Sequence, residues 1–205
     1  MTPEQLVEAI PRVGRVTADF WAPLLTSAMD RFGIDSAAQQ AGFIAQASHE
    51  SSNFSQLVEN LNYKTARRLC TVFPSRFKTL ESATPYLRSP RKLGDLIYAP
   101  RGTRLPESSG GGFDHRGRGL FHITWLANYL RVGHGLGLNL ADNPSLLEEP
   151  AHAAASAAWW WMDLKLNQYA DRFEIDKITR AINGPGMMGR VERAQTFARA
   201  ITAFS

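Results

Sequence analysis

The chain has 205 residues, 44% of them hydrophobic and 20% charged, a globular composition that excludes a disordered chain and suits one domain or one domain with two lobes. Its 23 Lys and Arg against 19 Asp and Glu leave a formal net charge of +4, which suits an anionic partner (nucleic acid, membrane surface or bacterial cell wall) without selecting one. The lone cysteine, Cys70, excludes an intrachain disulfide and a cysteine-based zinc motif, and no run approaches the ~18 apolar residues of a membrane span.

At the N-terminus, "MTPEQLVEAIPRV" lacks the basic-then-apolar order of a signal peptide, so synthesis and folding in the cytoplasm are expected. Thr2-Pro3-Glu4-Gln5 predicts a helix start, with Thr2 as cap, Pro3 in the first turn and Gln5 completing a capping box. Leu6, Val7 and Ile10 share a face before Pro11 ends the helix. Val16 to Phe32 predicts a second helix with Phe20, Leu24, Ala28 and Met29 on one side, a kink site at Pro23 and a stop at Gly33. Ser36 to Gln39 repeats the capping box and opens a third helix over about residues 37–51. The apolar stripe of that helix, Phe43, Ile44 and Ala47, continues to Glu50.

Asn53 to Tyr63 is a polar break. Residues 64–108 are weakly periodic and rich in Arg, Lys, Pro and Ser, which predicts a smaller lobe of short helices. "ESSGGGFDHRGRG" (107–119) is a glycine-rich loop able to approach a ligand closely. "LFHITWLANYLRVG" reads as a strand or turn leading into a helix. "PAHAAASAAWWWMDL" predicts a central helix whose Trp159, Trp160 and Trp161 are read as core rather than as a sugar platform. "EIDKITRAINGPG" predicts helix then turn, and Val191 to Phe204 a last helix with Val191, Ala194, Ala198 and Ile201 on one side. No repeat and no convincing sheet is legible, so the fold class is mainly α, one domain with a large lobe of about 1–60 and 109–205 and a small lobe of about 61–108.

Two glutamates stand out. Glu50 ends an inward stripe, where desolvation favours a neutral carboxyl and therefore a general acid. Glu59 lies among Asn53, Gln56, Asn60 and Asn62, a polar setting that suits an ionised base. Two carboxyls with opposite surroundings fit glycoside hydrolysis, though a helix-end charge and a loop charge remain the alternative on spacing alone.

"FIAQASHESSNF…VENLNY", "RGRGLFHITWLANY" and "AINGPG" resemble, in order, the motifs of the family 19 glycoside hydrolases, which include plant-type chitinases and phage endolysins of lysozyme-like fold. The likeness runs from about residue 15 to the C-terminus and is nearest to the phage or pyocin endolysin branch, through "HES", the nine-residue step to the second glutamate and "RGRGL". It implies a two-lobed helical fold with a cleft between the lobes. It further implies Glu50 as acid, Glu59 as base and Thr124 as the hydroxyl that helps hold the attacking water. His49, Asn128 and Asn183 match positions that contact the sugar or shape the site, and Arg193 matches an arginine near the base. Tyr63, at the end of the first motif, and Trp125, beside Thr124, are added as substrate contacts. Four positions depart from the family pattern: His122 where glutamine is usual, His115 where an aromatic is usual, Pro185 where glycine is usual, and Ala127 where plant chitinases carry tyrosine.

The resemblance implies inverting hydrolysis of β-1,4 bonds with carboxyls roughly 6.5–9.5 Å apart, no cofactor, and no metal. Peptidoglycan is the expected substrate, cut by a monomer released through a holin-type pore to the cell wall; chitin is the alternative. A lytic transglycosylase, a non-catalytic wall-binding module and a metalloenzyme are weighed against it. "HExxH" is broken by Asn53, and His115, His122 and His134 are scattered. A nucleic-acid surface of Arg88, Arg91, Lys92, Arg101 and Arg104 with Tyr86 and Tyr98 is read instead as a solvated face that could meet the wall.

Overall fold

The computed structural model describes residues 1–99 and 111–205. Residues 107–110 of the glycine-rich stretch, and Arg101 and Arg104, lie outside the described residues. α1 (Pro3–Ala9) starts at Thr2, whose Oγ1 accepts from Gln5 N at 3.3 Å while Gln5 Oε1 accepts from Thr2 N at 2.8 Å. This reciprocal pair satisfies donors that a helix start leaves without partners. α2 (Arg15–Arg31) continues through Pro23. Its buried face is Ala18, Trp21, Ala22, Leu25, Ala28 and Met29, so Phe20 is a correction: it is 53% exposed, and the larger Trp21 takes the inward place. Burying the bigger aromatic removes more apolar surface from water. α3 (Ala37–Glu50) carries the second capping box, Ser36 with Gln39, and every residue from Ala41 to Ser48 is buried.

Short helices follow: α4 (Ala66–Val72), α5 (Leu80–Ala83) and α6 (Pro90–Tyr98), with a 3-10 turn at Thr84–Tyr86. α7 (Gly111–Asp114) is tied to α6 through buried Asp95, whose Oδ1 accepts from Phe113 N at 2.9 Å. α8 (Leu126–Leu136), α9 (Pro150–Asp163), α10 (Asn167–Ala170), α11 (Ile175–Asn183) and α12 (Arg190–Phe204) complete the chain. α9 is central, as its composition predicts. Trp161 is fully buried, meets Phe43 edge-on at 5.9 Å and donates its Nε1–H to Asn167 Oδ1 at 2.7 Å.

α12 is turned differently from its predicted stripe. Arg193, Thr196, Phe197, Ala200 and Ala203 face inward, and Val191 is 62% exposed. Placing arginine outside by default hides this face, because the real one is centred on a buried guanidinium.

The apolar residues form two clusters. The larger joins α1, α2, α3, α8, α9 and α12. The smaller is built on Leu61, Leu69, Phe77, Ala83, Leu93, Ile97 and Tyr98, with Phe113 and Trp125 packed against it. Among the described residues the only β pairing is two isolated antiparallel bridges, Val58 with Arg118 and Arg118 with Ile123. The fold is mainly α, and those bridges lie between the clusters.

Candidate active site

The bridges make a three-strand patch one residue deep. Arg118 N donates to Ile123 O at 3.1 Å and Ile123 N to Arg118 O at 2.8 Å; on the other side Gly119 N donates to Leu57 O at 2.9 Å and Glu59 N to Gly117 O at 2.8 Å. Moving one residue along this antiparallel register puts Glu59, Gly117 and Thr124 in one row, on adjacent chains about 4.8 Å apart. Side chains in such a row leave on the same face. Gly117 contributes none, and it could not: an added Cβ would stand 3.2 Å from Glu59 Cβ and 3.1 Å from His122 Cβ. The glycine of "RGRG" therefore clears the space that Glu59 and His122 flank. Arg118 fixes this patch from below. It is buried, donates Nε–H to Glu148 Oε1 at 2.6 Å and Nη1–H to the Asp114 carbonyl and to Tyr129 Oη at 3.1 Å.

Glu59 has one oxygen engaged. Oε2 accepts from Tyr98 Oη at 2.7 Å and from Gly117 N at 3.2 Å; no described group bonds Oε1. The Gly117 N–H, which a regular ladder would spend on a backbone carbonyl, is given to the carboxylate. Tyr98 arrives from the end of α6 and packs edge-on to Trp125 at 5.2 Å. Burial, and then the negative charge of Glu59, holds its phenol far above the ordinary tyrosine range, so it stays a donor.

Glu50 is held in the same way by other elements. Its Oε1 accepts from Arg193 Nη2 at 2.6 Å and from Asn183 Nδ2 at 3.3 Å, and no described group bonds Oε2. Arg193 is itself clamped: Nη1 donates to the buried Gln46 Oε1 at 2.6 Å and Nε to Met188 O at 3.0 Å. Gln46 in turn donates to Thr179 Oγ1 at 3.0 Å, and Asn183 Oδ1 accepts from Met188 N at 2.6 Å. Three helices, α3, α11 and α12, thus converge on one carboxyl. This corrects the sequence reading twice. Arg193 pairs with Glu50, not with Glu59, and Glu50 sits in an ion pair rather than in an apolar pocket alone.

The other expected residues divide. Tyr63 is half-buried against Phe73, and both its burial and the charge of Glu59 raise its phenol above the usual range. Trp125 adopts φ +73° and donates its N–H to His115 O at 2.9 Å. Asn128 is half-buried on the first turn of α8. His49 points elsewhere. Its ring lies on Gly189, where φ is +71° and an added Cβ would be 1.9 Å from His49 Cε1, and burial there, with the nearby Arg193 charge, lowers its imidazole below the ordinary range. His49 lines a groove of about 820 Å³ with Asn53, Met188, Glu192 and Arg199, lined by neither Glu50 nor Glu59. His115 is buried, with Nδ1 2.6 Å from Gly111 O and Nε2 3.1 Å from Ala141 O, a structural brace.

Sequence reasoning missed Tyr98, Gln46 and Gly117 as site residues. Tyr98 was read only with a basic surface. Its place on the α6 stripe, after Leu93 and Ile97, is the signal that it turns inward. Among the described residues no group of three His, Cys, Asp or Glu side chains could hold a metal ion, and no described helix is long and apolar enough to cross a membrane.

No family profile matches the chain. A glycosyl hydrolase family 19 domain-containing protein of Haemophilus influenzae is 34% identical over 178 residues, 84% of each chain. This chain belongs to glycosyl hydrolase family 19. An endochitinase of Arabidopsis thaliana is 35% identical to this family 19 chain over a shorter span, 79 residues, or 38% of this chain and 28% of the endochitinase. Among solved structures, chitinase C of Streptomyces griseus superposes on it with a TM-score of 0.66 at 18% identity, over 99% of this chain and 76% of the other. A bacterial family 19 chitinase does so with a TM-score of 0.65 at 18% identity, over 100% of this chain and 94% of the other. At that identity the superpositions establish the lysozyme-like helical fold of the family 19 chain and nothing finer.

Proposed function

We propose that this family 19 glycosidase cleaves β-1,4 bonds of bacterial peptidoglycan by single displacement with inversion, as an endolysin does. The observation that carries the reading is the matched state of the two carboxyls. Each has one oxygen pinned by the protein, Glu50 Oε1 by Arg193 and Asn183 and Glu59 Oε2 by Tyr98 and Gly117, and each has one oxygen that no described group bonds. Pinning fixes orientation, which is what acid–base catalysis requires of its side chains. In its acid form Glu50 carries the proton on Oε2, Oε1 still accepting from Arg193, and gives that proton to the leaving oxygen. Glu59 Oε1 takes a proton from water attacking the opposite face of the sugar, and Thr124, one row across Gly117, orients that water.

The net charge of +4 supports an anionic wall as the substrate. Chitin is the second reading, favoured by the endochitinase relatives, since both polymers carry β-1,4-linked N-acetylhexosamines. The experiment digests purified sacculi and chitin oligomers in parallel and reads products by mass spectrometry and the first-formed anomer by NMR. Muropeptides that have gained one water, with inverted configuration, are expected. Faster turnover of chitin oligomers would move the substrate to chitin, and 1,6-anhydro ends would replace hydrolysis by transglycosylation. Glu50→Gln and Glu59→Gln are each expected to lose at least about 100-fold in kcat; near wild-type turnover in either would overturn its assigned role.

A further inference from the structure

His122 occupies the position where the family pattern usually carries glutamine, and the acid–base scheme above leaves it without a task. Its placement is specific. Its Cβ and that of Glu59 both stand within 3.2 Å of the point where a Gly117 Cβ would be, so the two side chains leave the patch side by side. The backbone holds it there at φ +46°, a left-handed conformation disfavoured for a residue with a side chain. Nε2 is buried and has no hydrogen-bond partner among the described residues. A buried nitrogen left unpaired destabilises the fold, and native folds rarely keep such a group without a use for it. The neutral group acting on the ring is the Gln56 carbonyl. A carbonyl only accepts, so it fixes the proton of the neutral ring on Nδ1 and leaves a lone pair on Nε2.

We infer that His122 is a positioning residue for the proposed reaction: neutral, it leaves the working oxygens of Glu50 and Glu59 free; protonated, it donates from Nε2 to one of them and stops turnover. This rests on the acid–base roles given to those two glutamates. The titratable groups acting on the ring are Glu50, at the end of α3, and Glu59, in the segment after it; no described cation acts on it. Burial pushes the imidazole below the ordinary histidine range, while the two carboxylates and the Gln56 carbonyl pull it back up. The ring is therefore neutral near neutrality and charges as the medium turns acid. The step moves one proton from hydronium to Nε2: an N–H bond forms as an O–H bond of the hydronium breaks, leaving water.

The test compares pH–rate profiles of wild type, His122→Gln and His122→Asn on the substrate that wild type hydrolyses best, with an NMR titration of the His122 ring. Wild type must lose protons from both Glu59 and His122 to be active, so its acid limb is the steeper. Below the imidazole pKa it should lose about tenfold more rate per pH unit than either amide variant. In Glu59→Gln the ring should titrate at lower pH than in wild type, because the ionised carboxylate that stabilises the imidazolium is gone. Coincident acid limbs in wild type and both amide variants, or a ring that never titrates above pH values where the enzyme has already lost activity, would overturn the role of His122. Failure of wild type to hydrolyse any β-1,4 N-acetylhexosamine polymer would instead overturn the proposed reaction.

Discussion

Arg193 carries more of the site than its place in the sequence suggests. Its guanidinium is 1% exposed and joins Glu50 to Gln46 and the Met188 carbonyl. Breaking a buried ion pair from one side leaves the other charge without compensation, at a cost of about 3–5 kcal/mol. Arg193→Met should lower stability in urea unfolding by an amount near that range and abolish activity. Glu50→Gln should cost less, since its amide oxygen still accepts from Arg193 and the site is partly open. At the second carboxyl, Tyr98→Phe removes one of two donors to Glu59 Oε2. Hydrogen bonds to charged groups are worth about 1.5–3 kcal/mol, so kcat/KM should fall by roughly ten- to a hundredfold with the fold intact by circular dichroism; an unchanged kcat/KM would show that Tyr98 does not hold the proposed base. The histidines add a pH term. The folded-state pKa values of His49 and His122 are both lowered, so the unfolded chain takes up protons first as pH falls below about 6.5. The stability they permit is complete above that value and is lost as pH falls toward the folded values, and Tm should decline measurably from pH 7 to pH 5.

At the scale of elements, legibility follows how local the determinant is. The two capping boxes read from sequence are each written in four consecutive residues, and Thr2–Gln5 and Ser36–Gln39 form as read. Replacing Ser36 by Ala should cost about 0.5–2 kcal/mol. Trp161 was legible as core because an alanine-rich helix has to be covered all round, and its truncation to Ala should cost about 3–5 kcal/mol in the same unfolding assay. Helix faces were less legible. On α2 the stripe through Phe20 competes with one through Trp21, and periodicity alone does not rank them. On α12 the inward face contains Arg193, which no hydropathy rule places inside. The patch of residues 57–59, 117–119 and 123 was illegible for another reason: its pairing joins segments about sixty residues apart, and its sequence signal is a glycine whose value depends on a partner strand. Resemblance and contrast of surroundings single out Glu50 and Glu59 as candidates, yet the groups that hold them, Arg193 and Tyr98, come from α12 and α6. Sites that break local rules in this way are where sequence patterning is expected to fail.

For the whole molecule, the argument concerns charge and the polymer it is proposed to meet. A net charge of +4 spread over one face acts on a polyanion at long range, while a charge of the same size scattered evenly does little. Arg88 lies just before α6, and Arg91 and Lys92 lie in its first turn. Arg91 stacks on Phe113 at 4.8 Å and stands 3.7 Å from Asp114, with its side chain 62% exposed, and Lys92 lies over Tyr86 at 4.9 Å. Ion pairs this exposed contribute little to stability, so reversing all three charges to Glu should leave the fold standing. Each reversal subtracts two units, which takes the formal charge from +4 to −2. If this face steers the enzyme to the wall, wild type should pellet with purified sacculi at low ionic strength and release as salt approaches physiological strength, where screening lengths fall to about 8 Å. The reversed variant should pellet poorly at every salt concentration and show a raised KM on sacculi. Its kcat on short soluble oligomers should not change, because those carry no extended charge for the face to read. Equal pelleting of the two proteins at low salt would mean that the cleft alone finds the polymer, and that the basic excess serves solubility.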